Sequence, residues 1–277
     1  MNKLAFPCGP SLGWFDAKLT NSAVDQRVVL EESGSTAFEK CWDKQRIPST
    51  QALGLDLSNE IAFASLHLPG FAELTPEERA ANISNMCAVL QGTKYNALTL
   101  HPDEITADVC AQFSKRGYHV SVENMDRAKT IGRLPEEFIE ICRVVERPAV
   151  IDVQHAYENS MDKYGNPTRV AQEIAYGLAQ QGIKLTHLHV SGELLKGGKQ
   201  LEVHSSLTSA TNRVAILDAV RLVQKEFGGQ VPIILEGDYF SDLSYEIPKR
   251  TKGEIADLIA RAASDLEKQI DIIGNAT

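Results

Sequence analysis

Short apolar runs of strand length alternate with longer amphipathic segments from one end of this chain to the other. That alternation limits the fold more than any other feature. The runs are Leu4 to Cys8, Val28 to Leu30, Ile61 to Leu68, Ala97 to His101, His119 to Glu123, Ala149 to Val153, Leu185 to Val190 and Pro232 to Glu236. Most are near-continuous in Val, Ile, Leu and Ala, as parallel strands covered by helices must be. Eight strand-helix units in 277 residues predict one domain, an α/β (β/α)8 TIM barrel spanning the whole chain. An open doubly wound sheet is the alternative, but no Gly-x-Gly-x-x-Gly turn follows the first run, so a dinucleotide fold lacks support.

The helical segments carry their own punctuation. Thr75-Pro76-Glu77-Glu78 reads as an N-cap, a first-turn proline and two acids, with Gly92 near the far end. Leu134-Pro135-Glu136-Glu137 opens another helix, and Gly117 and Gly182 stand where helices should stop. Ile255, Leu258, Ile259, Ala262, Leu266, Ile270 and Ile273 form an apolar stripe along the last helix. No linker or repeat divides the chain, and the least patterned stretch is Ser33 to Asn59, where GLDLS reads as a short strand or a loop.

Composition then removes several function classes. With 43% apolar and 23% charged residues the chain can bury a full core without staples. Its net charge of −9 argues against a broad basic face for nucleic acid. Five scattered cysteines without a Cys-x-x-Cys pair predict reduced thiols, and neither a signal peptide nor a run of 18 apolar residues is present. The expectation is a soluble cytoplasmic protein with no membrane partner.

In a (β/α)8 barrel the chemistry sits where the strands end, and here nearly every strand ends on a metal-ligand residue type. His67 closes the third run, His101 the fourth and Glu123 the fifth; Asp152 and His155 follow the sixth, His189 closes the seventh and Glu236 the eighth. Glu202 and His204 follow in LEVHSS. Taken singly, each residue reads as a helix cap or a satisfied polar group. Together they place five of seven histidines and four carboxylates on one rim. Carboxylates gathered in a barrel mouth repel one another unless cations intervene. Histidine and carboxylate without thiolate suits zinc first, then manganese or iron.

His187 points the same way as His189 but deeper, in a supporting place, and His119 begins its strand at the opposite face. Cys8 and Ser11 close the first run, where a buried inert thiol is the commoner case than a nucleophile. Tyr157, Lys163, Arg169, Arg127, Lys129 and Arg133 read as loop residues of the same rim. Arg127, Lys163 and Arg169 are the candidates for holding an anionic substrate.

At VENMD, VIDVQHAY, HLHVSG and IILEGDY the sequence resembles the xylose-isomerase-like barrel superfamily, which includes sugar isomerases and epimerases and the endonuclease IV family of AP endonucleases. The likeness runs over nearly the whole chain in order and spacing, with identities confined to strand ends. The isomerase branch implies one metal held by Glu123, Asp152, His189 and Glu236. The endonuclease IV branch implies three zinc ions, so two or three divalent ions are expected. In that reading His67 and His101 hold the first, Asp152, His189 and Glu236 the second, and His155, Glu202 and His204 the third, with Glu123 bridging two. HLPGF, DVQH, HVSGE and EVHSS depart from that branch's DNA-reading stretches, which puts the DNA substrate in doubt and spares the metal chemistry. YENSMDKYGNP, HVSG and LEGDY also resemble the iron-dependent peptide-modifying oxygenases of methanobactin biosynthesis, which usually carry Asn at the place of His155.

Three readings follow. The first is a multinuclear metal phosphoesterase acting on a small anionic substrate, with a nucleic-acid segment as a weaker candidate. The second is a sugar or sugar-phosphate isomerase or epimerase in which Glu123 and Glu236 are the catalytic carboxylates. The third is a multinuclear iron oxygenase acting on a peptide. Three divalent ions would offset six of the nine excess negative charges, so an acidic chain can still present a positive mouth.

Overall fold

The computed structural model describes residues 4–13, 22–42, 61–71, 73–91, 93, 95–196, 199–240 and 250–277. Eight parallel strands form one sheet: β1 (Cys8–Pro10), β2 (Ala37–Cys41), β3 (Phe63–His67), β4 (Ala97–Leu100), β5 (Val120–Glu123), β6 (Ala149–Asp152), β7 (Leu185–Val190) and β10 (Ile233–Leu235). The order β1-β10-β7-β6-β5-β4-β3-β2 brings the first two strands to opposite edges. A parallel bridge between Ser11 and Glu39, with the Leu12 amide donating to the Glu39 carbonyl at 2.7 Å, joins those edges into a nearly closed barrel. Gly9 permits that junction, because a Cβ there would lie 1.8 Å from the Ala37 carbonyl oxygen. The (β/α)8 barrel expected from the alternation is therefore the fold.

Eight helices surround it among the described residues: α1 (Ala23–Glu32), α2 (Pro76–Leu90), α3 (Ala107–Ser114), α4 (Pro135–Val145), α5 (Val153–Tyr164), α6 (Arg169–Gln180), α7 (Arg213–Glu226) and α8 (Lys252–Ala276). The punctuation reads through. Thr75 and Glu78 form a reciprocal capping box at α2, Pro135 occupies the first turn of α4, and Gly117 and Gly182 adopt positive φ beyond α3 and α6. Gly92 and GLDLS lie outside the described residues. Leu, Ile, Val and Phe from helices and outward strand faces form the main core, while Ala37, Phe63, Ala97 and Ile234 pack separately as an apolar floor inside the barrel.

Two local expectations are corrected, and one element is added. Val28 to Leu30 lies within α1, and the second strand is Ala37–Cys41. The VVL triplet is one buried arc of a helix capped by Ser22, whereas Ala-Phe-Glu-Lys-Cys is a strand whose two charged residues are both buried. Tyr157 and Lys163 stand in α5 and Arg169 opens α6, two helices within a single β6–β7 connection, so none of the three is a loop residue. An antiparallel hairpin, β8 (Gly192–Lys196) and β9 (Lys199–Ser205), precedes α7 and delivers His204 to the rim.

Candidate metal centre

Inward-pointing residues stack above the apolar floor in two polar tiers. The lower holds Glu39, Ser65, Thr99 and His187, and the upper holds His67, Glu123, Asp152 and His189, with His101 and Glu236 just beyond their strands. The period of two along each strand sets this arrangement: Glu39 lies opposite Ser65, while His67 lies opposite Thr99.

Glu123 is the hinge of the upper tier. Its Oε2 lies 3.1 Å from His67 Nε2 and 3.7 Å from His101 Nε2, while its Oε1 lies 2.9 Å from His189 Nδ1. His189 Nδ1 is in turn 3.4 Å from Glu236 Oε1. Asp152 caps α5, its Oδ1 accepting from the His155 amide at 2.8 Å. Its Oδ2 is buried without a hydrogen bond, 3.6 Å from His155 Nε2. Asn124 fixes this corner, accepting from the Asp152 amide at 2.7 Å and donating to the Asp152 carbonyl at 3.1 Å. The Asn124 carbonyl also accepts from His155 Nδ1 at 2.9 Å, which turns Nε2 toward Asp152.

His204 reaches the same corner from β9 on a left-handed backbone, φ 62°, a conformation that costs a non-glycine residue free energy and clusters at functional sites. Its Nδ1 lies 3.1 Å from Ser191 Oγ, and its ring meets His155 edge to face at 5.4 Å.

Donor atoms from these residues converge in four groups, each with its atoms within 4.8 Å of one another: His67, His101 and Glu123; Glu123, Asp152, His189 and Glu236; Asp152, His155 and His204; and Glu39, His187 and His189. Eight of the nine ligands expected from sequence are thereby brought together. Glu202 lies in β9, two residues before His204, and its side chain is outside the described set. Glu39 is the member that sequence reasoning missed, because no apolar run marks its strand. The Ser33-Gly34-Ser35 break ahead of it is the signal that could have found it.

The electrostatics show what the groups lack. Burial, reinforced by Glu123, Asp152 and Glu39, pushes the Glu236 carboxyl well above the usual carboxylate range. Despite burial, Glu236, Glu39 and Glu123 hold His189 well above the usual histidine value, and His189 and His67 hold Glu123 well below its own. Burial lowers His101 to about 4. Three carboxylates with an orphaned oxygen among them, packed on neutral and charged imidazoles, form a donor set that a divalent cation satisfies and that protons satisfy only in part.

The other candidates are placed as follows. Arg127, in the loop four residues past Glu123, pairs with Glu158 at 3.8 Å. Lys163 and Arg169 lie over the Tyr164 ring, and Arg169 also pairs with Glu173 at 2.7 Å. Lys163 is eleven residues past Asp152 along α5, roughly 16 Å at the helical rise. Cys8 is buried, its thiol pushed up to about 12, which makes it inert as a nucleophile. His119 is exposed ahead of β5, at the face opposite the site. No helix among the described residues is long and apolar enough to cross a membrane.

No family model and no curated protein matches the sequence. Solved structures match along almost all of it. An L-ribulose 3-epimerase aligns at 9% identity over 98% of this chain and 95% of its own, with a TM-score of 0.63. An IolI protein with a bound zinc atom aligns at 13% identity over 98% and 99%, also at 0.63. Endonuclease IV from Thermus thermophilus aligns at 15% identity over 95% and 99%, at 0.60. The shared architecture is the (β/α)8 TIM barrel.

Proposed function

We propose that this barrel is a metal-dependent enzyme with a multinuclear centre, and that it hydrolyses a phosphoester. The observation that carries the reading is the split carboxylate of Glu123, one oxygen facing His67 and His101 and the other facing His189 beside Glu236. A carboxylate shared between two donor groups suits two neighbouring cations, whereas an isomerase with a single ion needs only the group of Glu123, Asp152, His189 and Glu236. The third group, Asp152 with His155 and His204, extends the same logic, and Glu202 is assigned to it as a further ligand.

In this reading His67 and His101 hold one ion, Asp152, His189 and Glu236 a second, and His155, His204 and Glu202 a third. Divalent cations bound there would supply Lewis acidity at the phosphoryl oxygens and would lower the pKa of coordinated water toward neutral. Zinc fits the donor set first, with manganese or iron as the alternatives. The residues of the chain do the rest. Glu123 fixes the spacing between the first two groups, Asn124 locks Asp152 and His155 in register, and Arg127 at the rim offers a guanidinium to an anionic substrate. Lys163 and Arg169 steer anions from farther out.

The zinc-loaded protein is expected to cleave a phosphodiester such as bis(4-nitrophenyl) phosphate, or an abasic duplex, and to leave ketohexoses unchanged. Epimerisation of a ketose with no phosphoester turnover would overturn the hydrolase in favour of the isomerase, with Glu123 and Glu236 as its proton-moving carboxylates. Oxygen-dependent turnover of a peptide by the iron-loaded protein would overturn it in favour of the oxygenase.

A further inference from the structure

Beneath the rim, the proton positions of three residues can be counted from their partners. The Ala149 carbonyl only accepts, so Thr186 Oγ1, 3.0 Å away, donates its one proton there. Thr186 Oγ1 can then only accept from His187 Nδ1 at 3.1 Å, which puts the proton of that ring on Nδ1 and leaves Nε2 bare. His187 Nε2 lies 3.0 Å from His189 Nε2, and two nitrogens at that distance share one proton, so it belongs to His189. The same N–H faces Glu39 Oε2 at 3.2 Å, an oxygen that also accepts from Ser65 at 3.0 Å and Thr99 at 3.4 Å.

We propose that Thr186, His187 and Glu39 form a positioning relay that keeps the His189 proton on Nε2 and aims the Nδ1 lone pair at the ion held with Glu123, Asp152 and Glu236. The inference rests on the metal reading of the rim and is independent of the substrate. All three relay residues act through His189 and none reaches the reacting atoms. Glu39 and His187 are fully buried, and His187 packs on Phe63 with ring centres 5.2 Å apart. The competing use of Glu39, His187 and His189 is a separate metal site on the Nε2 side. It is disfavoured by charge, since Glu39 alone faces that side while Glu123 and Glu236 both face the Nδ1 side.

The test is nitrogen NMR of histidine-labelled protein loaded with zinc, in which each ring nitrogen reports whether it carries a proton, a metal or neither. The relay predicts that His189 is metal-bound at Nδ1 and protonated at Nε2, and that His187 is protonated at Nδ1. A His189 protonated at Nδ1 and metal-bound at Nε2 would overturn it while leaving the His67, His155 and His204 signals to report the rim ions. If zinc moves none of these signals, the relay and the metal reading fail together. Glu39→Gln and Thr186→Val are expected to weaken zinc binding about 10–100-fold in chelator competition. Unchanged affinity in both, with the folded spectrum retained, would also overturn the relay.

Discussion

The deep group of Glu123, Asp152, His189 and Glu236 and the outer group of Asp152, His155 and His204 share Asp152, yet they are built differently. The deep group packs three carboxylates at the ends of three regular strands, almost wholly removed from water. Among the described side chains the outer group has one carboxylate, a helix-borne histidine, and a histidine on a strained hairpin residue. The contrast teaches that a cation is an electrostatic necessity in the first and an addition in the second. Charges buried without a counter-ion cost several kcal/mol each, whereas an imidazole can stay neutral.

The largest effect that would break this comparison is expected at the shared residue. Asp152→Ala should abolish tight metal binding at both groups and lower phosphoester turnover by at least about 1,000-fold, since it removes a ligand twice and the α5 cap once. Loss of only one ion would contradict the sharing. Glu236→Gln should come next. It should empty the deep group and leave a folded protein that is more stable than the wild type without metal, because a carboxyl held far above its usual range is removed. Reduced metal-free stability would contradict the electrostatic account.

His204→Ala should be milder, removing one ion per chain and relieving backbone strain while the deep group stays loaded, as elemental analysis would show. A protein that instead loses every ion would erase the distinction between the groups. The smallest effect is in pH. More than about one unit above 6.5 the lowered histidines, His101, His187 and His204, are neutral in both folded and unfolded chains. The rim groups still titrating are the raised ones, Glu236, His67, His155 and His189. Raised groups contribute stability at low pH that is lost as pH rises through their folded values. The metal-free protein should therefore lose denaturant resistance as pH rises beyond the range of ordinary histidines, and the loaded protein should not. Parallel pH profiles for the two forms would contradict it.

Legibility in the sequence follows the same divide. Strands β5 and β6 carry only apolar and small residues up to a terminal carboxylate and Glu236 directly follows the apolar β10, so Glu123, Asp152 and Glu236 stand out, while His189 is marked by the His-x-His alternation of β7. Glu39 does not, because β2 carries Glu39 and Lys40 side by side and reads as a solvated stretch. Only the folded chain shows Ser65 and Thr99 satisfying the one and Gln26 of α1 accepting from the other at 2.5 Å. A tertiary partner can hide a buried charge from any local pattern. The hairpin escapes for another reason. The Gly197-Gly198 pair between GELLK and KQLEV is a turn signal too short-ranged to outweigh the strand-helix alternation around it, while His204 itself is legible from its spacing to Glu202.

Counting ions on the intact protein is the most direct test of a shared carboxylate at Glu123. Native mass spectrometry of the wild type and of Glu123→Ala, each loaded with zinc and desalted, is predicted to show two or three ions per chain for the first and at least one fewer for the second. One ion per chain in the wild type would contradict the multinuclear centre.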